Sequence, residues 1–166
     1  MRIFLTLFLF FNSLFALSEL EEGLKLYEAN KFDKAYEIFK SLCEKDISKA
    51  CFSLAFMHES ARGVSKDLNQ AYKFYDKACK LGLANACSNM ALLLQNQGYE
   101  NEALLAFNKS CTLGFGEACY LLGRCNQLEK QDLTKAKRYF GMACDQKHQE
   151  ACAAYKELNS KDIELY

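Results

Sequence analysis

Lys77-Ala78-Cys79-Lys80-Leu81-Gly82-Leu83-Ala84-Asn85-Ala86-Cys87 decides how the rest of the chain is read. Two cysteines stand eight positions apart, each preceded by Ala, with a Gly between them. The same spacing recurs at Cys43 and Cys51, at Cys111 and Cys119, and at Cys144 and Cys152. Successive first cysteines are 36, 32 and 33 residues apart, so the pair keeps its internal spacing while the segments between pairs change length. A fixed unit separated by variable segments marks the joint of a repeat array.

Moving outward from the joints, the columns align. Eight residues before each first cysteine stands Ala35, Ala71, Ala103 or Ala136, and four before it Phe39, Tyr75, Phe107 or Phe140. Ala, aromatic and Cys at i, i+4 and i+8 form one stripe of a helix, here called helix B. Four residues after the second cysteine of the first three joints stands Ala55, Ala91 or Gly123, small enough to let a preceding helix A approach closely. The length changes fall in the turns between helices A and B, where insertions are tolerated. Hairpins are expected at about 19–45, 48–80, 84–112 and 116–146, followed by a terminal helix at 149–159. Asp33, Asp67 and Asp132 read as helix N-caps. Gly82 and Gly114 read as helix stops. In the first hairpin, Leu20, Leu24 and Tyr27 share a face. The turn of the fourth lies around 129–131, and the polar tail from Ser160 to Tyr166 is expected to fray. With no Pro, no Trp and few β-branched residues, the composition is that of an all-α protein.

The N-terminus is of another kind. Arg2 is followed by an apolar run from Ile3 to Phe11, continued by Leu14-Phe15-Ala16, and charge returns only at Glu19. This is the pattern of a secretory signal peptide over 1–18, with cleavage after Ala16 or Ser18. The run is short for a spanning helix, which needs about 20 apolar residues. No stable membrane anchor is therefore expected after cleavage. The remaining domain is 19–166. Lys plus Arg and Asp plus Glu both number 21, a balance that offers no electrostatic footprint for nucleic acid.

In an exported chain the nine cysteines point to disulfides rather than to metal or catalysis. The constant local spacing favours pairing within each joint. Pairing across a hairpin, as Cys51–Cys79, Cys87–Cys111 and Cys119–Cys144, is also open, but strands Cys43 and Cys152. No metal is expected: zinc needs close cysteine pairs or His partners, and only His58 and His148 are present, far apart. His58 shares a column with Leu94 and Asn126 and reads as a packing residue. His148 lies in a joint and is expected to be solvated. Cys125 falls outside the pattern and is expected to be a small, partly buried thiol, with an intermolecular disulfide or a reactive thiol as the alternative.

The turn Arg62-Gly63-Val64-Ser65-Lys66-Asp67, the helix Gln70-Ala71-Tyr72-Lys73-Phe74-Tyr75-Asp76-Lys77-Ala78 and the pair Leu122-Gly123 resemble the Sel-one-like repeat, a relative of the tetratricopeptide repeat. With cysteines eight apart at its joints, the chain resembles the Helicobacter cysteine-rich protein family. Ala55 and Ala91 depart from that pattern, where Gly is usual. The resemblance implies a right-handed αα-solenoid of disulfide-stapled hairpins, periplasmic or secreted. It also implies a β-lactamase activity, in the form of weak penicillin binding or hydrolysis. The residues lend this no support. No Ser has Lys three positions on, Lys-Thr-Gly is absent, and Tyr99-Glu100-Asn101 stands without its partner motifs. No catalytic residue and no cofactor are assigned.

Binding has better support. One, five and eight residues after the second cysteine, helix A presents Phe52, Phe56 and Glu59; Ser88, Leu92 and Gln95; Tyr120, Arg124 and Gln127. These mixed columns are the expected groove for a protein, peptide or peptidoglycan-like ligand.

Overall fold

The computed structural model describes residues 2–129 and 131–163, and side-chain surroundings for 15–129 and 131–160. Lys130 in the expected fourth turn, and the end of the tail, lie outside the described residues. The described residues form helices and no strand: α1 Arg2–Glu28, α2 Phe32–Glu44, α3 Ser48–Ser60, α4 Leu68–Lys80, α5 Ala84–Asn96, α6 Glu100–Thr112, α7 Gly116–Leu128, α8 Leu133–Asp145 and α9 Gln149–Ile163. Two compact units result, Met1–Leu81 with α1–α4 and Gly82–Tyr166 with α5–α9.

In the first unit α1 packs on α2, α2 on α3 and α3 on α4. In the second, α5 packs on α6, α6 on α7, α7 on α8 and α8 on α9. Sequence neighbours pack on one another because each hairpin buries one stripe inside itself and offers a second to the next. The stripe is the one the columns describe. Ala35 and Phe39, Ala71 and Tyr75, Ala103 and Phe107, and Ala136 and Phe140 are all buried, as are Ala50, Ala86, Ala118 and Ala151 before the second cysteines. The small residues opposite also meet the aromatics. A Cβ added to Gly123 would lie 2.6 Å from the Phe140 ring. In the first hairpin Gly23 takes this place, where a Cβ would stand 2.7 Å from the Phe39 ring, while Leu24 is turned out to solvent.

The joints explain their own constant spacing. The Asp46 amide donates to Cys43 O and the Ile47 amide to Leu42 O. Gly114 and Phe115 bond in the same way to Cys111 and Ser110, and Lys147 and His148 to Cys144 and Ala143. This double closure ends a helix through one left-handed residue. The next residue is already the N-cap of the following helix, so no position is left over in the joint. The geometry holds the cysteines together. Cys43–Cys51, Cys111–Cys119 and Cys144–Cys152 are disulfides, with Cα atoms 4.7, 4.7 and 4.5 Å apart. Pairing at these three joints is thus local. Cys79 and Cys87 are disulfide-bonded as well.

Helix starts differ from one another. Asp67 caps α4 by accepting from the amides of Asn69 and Gln70 at 3.0 Å each. Asp132 accepts from the Lys135 amide at 3.0 Å and pairs with Lys135 Nζ at 2.8 Å. The Lys135 side chain, and then its amide, hold the Asp132 carboxyl below its ordinary range. Asp33 is not a cap. Helix α2 begins two residues earlier, with Lys31 at the N-cap and no side-chain cap among the described residues, and Asp33 lies in the first turn near the positive end of the helix dipole. Helix α1 begins at Arg2 rather than near Glu19, so the apolar leader and the first repeat helix are continuous. Helix α9 runs to Ile163, past the expected end at Asn159. Among the described residues, no helix is long and apolar enough to cross a membrane.

Candidate functional site

The three helix A columns do not behave alike. The first turns inward. Phe52 lies against Tyr75 with ring centroids 5.4 Å apart, Tyr120 against Phe140 at 5.8 Å, and Ser88 is buried. One residue past the buried cysteine, this column faces the aromatic of its own helix B. The second column turns outward: Phe56 is 39% and Leu92 44% exposed, and Arg124 is exposed. The third is mixed. Gln95 is exposed and Gln127 half-buried, while Glu59 accepts a 2.7 Å hydrogen bond from the buried Tyr75 hydroxyl. A buried phenol needs such a partner, so Glu59 is committed to the fold.

His148 is not solvated. Its side chain is 14% exposed and stacks on Tyr120 at 4.5 Å, and its Nε2 lies 2.9 Å from Glu117 Oε2. The Ala151 amide donates to Nδ1 at 3.3 Å at the start of α9, and Glu150 Oε2 lies 3.3 Å from the same nitrogen. His58 packs between Tyr36 and Phe74, with ring centroids 5.9 and 5.7 Å away. Its Nδ1 is buried and has no hydrogen-bond partner among the described residues.

Three of the expected groove residues come together. Leu92, Gln95 and Arg124 line a cleft of about 450 Å³ in the second unit, a size typical of ligand pockets. Helix α6 contributes Glu100, Asn101, Leu104 and Phe107, and α7 contributes Leu121, Leu122, Cys125 and Leu128, with Glu129 just past its end. The floor is apolar: Phe107 is 6% and Leu122 2% exposed. Its rim is polar. The Arg124 guanidinium lies 5.9 Å from the Tyr120 ring and donates to the Tyr120 hydroxyl at 3.2 Å. The Cys125 thiol donates to Glu129 Oε2 at 3.2 Å. Among the described residues, neither Ser nor Lys lines the cleft.

Column reading missed the contribution of α6 and of Leu121, Leu128 and Glu129. A signal was present: Leu121 and Leu128 are apolar, seven residues apart on one helix, and belong to no core column. Among the described residues no cluster of His, Cys, Asp and Glu could hold a metal ion.

Comparison with known proteins bears on the architecture. The Sel1 repeat family matches residues 48–83 and 116–148. A stretch of 41 residues, 25% of the chain, is 54% identical to an uncharacterized protein of Haemophilus influenzae and covers 77% of it. The crystal structure of a Sel1 repeat protein from Oxalobacter formigenes superposes with a TM-score of 0.73 at 22% identity, over 86% of this chain and 62% of that one. This chain therefore spans less than two thirds of that protein's length. Helicobacter pylori cysteine rich protein B superposes with a TM-score of 0.53 at 25% identity, over 64% of this chain and 94% of that one. The fold class is the αα-solenoid, built of helical hairpins and stapled by disulfides.

Proposed function

We propose that this chain, which belongs to the Sel1-repeat family, is an exported scaffold that binds a protein or peptide in the cleft of its second unit. The observation that carries the reading is the cleft itself. An apolar floor, exposed leucines along its walls and a polar rim have the form of a binding site rather than of a core. Export is supported by disulfides at the joints, which persist in oxidising compartments, and by the apolar leader. Periplasmic and secreted destinations both fit. A cell-wall fragment is the alternative ligand, since a groove that mixes aromatic and polar side chains also suits a glycan.

Cys125 gives the reading a direct test, because it is a thiol lining the cleft. The full chain is produced with a C-terminal tag in a Gram-negative host, and a photocrosslinker is attached to Cys125. We expect envelope-derived polypeptide adducts that are lost in Leu121→Glu, and an intact mass that starts after Ala16 or Ser18. Adducts unaffected by Leu121→Glu would sink the cleft as the binding site. An unprocessed chain held in the cytoplasm would sink export.

A further inference from the structure

We infer that the cleft of the second unit selects a peptide segment in which a leucine-type side chain stands beside Lys or Arg. This rests on the binding reading above and names its ligand class. Two features argue for it, one apolar and one electrostatic.

The apolar feature is surplus leucine. Leu92 is 44%, Leu121 37% and Leu128 62% exposed, and all three line the concavity above Phe107 and Leu122. Covering that apolar surface removes it from water, so an inserted aliphatic side chain is stabilised on several sides at once. A fully polar ligand would leave those leucines wet.

The electrostatic feature sets the sign of the neighbour. The described lining holds two carboxylates, Glu100 and Glu129, and one cation, Arg124. Arg124 is turned onto Tyr120 by its hydrogen bond and lies over that ring. Glu129 occupies the C-cap of α7, where the helix dipole is negative and a carboxylate is unfavourable. There it lines the cleft together with Leu128. The two carboxylates, Glu100 and Glu129, attract a cation. A Lys or Arg following the anchoring leucine supplies it, and an acidic peptide meets repulsion at the same place.

The test uses the full chain and three short fluorescein-labelled peptides, with central sequences Lys-Leu-Leu-Lys, Glu-Leu-Leu-Glu and Lys-Ser-Ser-Lys, read by anisotropy in low salt. The basic leucine peptide should bind at least tenfold more tightly than either other peptide, and should slow iodoacetamide labelling of Cys125. Glu100→Gln combined with Glu129→Gln, two surface changes checked for fold by circular dichroism, should bring the first two peptides within about threefold of each other. Leucine peptides that bind equally well whatever their charge, or a preference untouched by the double variant, would overturn the inference and leave the scaffold reading standing. No binding and no Cys125 protection with any peptide would overturn both.

Discussion

At the scale of single residues, the joints share one backbone conformation that their side chains do not share. The third residue after the first cysteine has positive φ in all four: Asp46 at 61°, Gly82 at 88°, Gly114 at 91° and Lys147 at 66°. Gly takes this conformation without a Cβ clash. An L-residue with a Cβ takes it at a cost of about 1–2 kcal/mol. At Asp46 and Lys147 the surrounding closure overrides that cost, since the two hydrogen bonds and the disulfide leave no other path between the helices. Lys147→Gly should therefore stabilise the protein, by about 0.5–1 kcal/mol once the larger unfolded-state entropy of Gly is subtracted. A higher midpoint in urea denaturation with an unchanged slope is the expected result. A lower midpoint would mean that Lys147 makes contacts worth more than its strain.

At the scale of elements, hairpin packing depends on a helix A that can come down onto the aromatic of its helix B. Phe140 is fully buried and Gly123 presses on its ring. A methyl group at Gly123 would meet Phe140 carbons at 2.6 Å, and the ring, enclosed by the α7–α8 hairpin, has no room to swing away. Gly123→Ala should cost about 1–3 kcal/mol through overpacking, despite the better helix propensity of Ala. Thermal denaturation followed by circular dichroism checks the sign; an unchanged or raised midpoint would show that the two helices can part without loss. The same close approach recurs in the first unit between Gly23 and Phe39. Different hairpins thus reach one solution with small residues at different distances from the joint cysteines.

At the scale of the whole molecule, stability is assembled from neighbour contacts. The helix pairs with substantial packing are adjacent in the chain, as in other repeat proteins, where local interfaces add up nearly independently. Such an array gains from local cross-links. Each joint disulfide closes a short loop and restricts the unfolded chain, a contribution of about 2–3 kcal/mol for a loop of this length. Replacing Cys144 and Cys152 by Ser should destabilise the protein by about that amount, with the loss concentrated in α8 and α9. Native-state hydrogen exchange is the measurement. Protection should fall in α8 and α9 more than in α5 and α6 of the same unit, and a uniform fall across all of these helices would refute additive, neighbour-limited stability.

Residue types and their periods determined the helices, the hairpin pairing and the buried stripe. A helix that buries one face must repeat its apolar residues at the helical period, and this leaves a written pattern: Ala, aromatic and Cys at fixed steps. The cysteine spacing carried over to the disulfides for a similar reason, since a tight helix-to-helix closure admits one number of residues. Tertiary structure alone decided the rest. Whether a helix A residue faces a partner or solvent depends on which other helices reach it. So Ser88 is buried, Glu59 is held by Tyr75, and His148 is enclosed under Tyr120, although nothing in their own types says so. The cleft arises where α5, α6 and α7 converge, from leucines that the core columns leave over and a carboxylate at the wrong end of a helix. Leu121, Leu128 and Glu129 share one helix or its end, but Leu92 and Glu100 come from elsewhere in the chain, so only folding brings the set to one place.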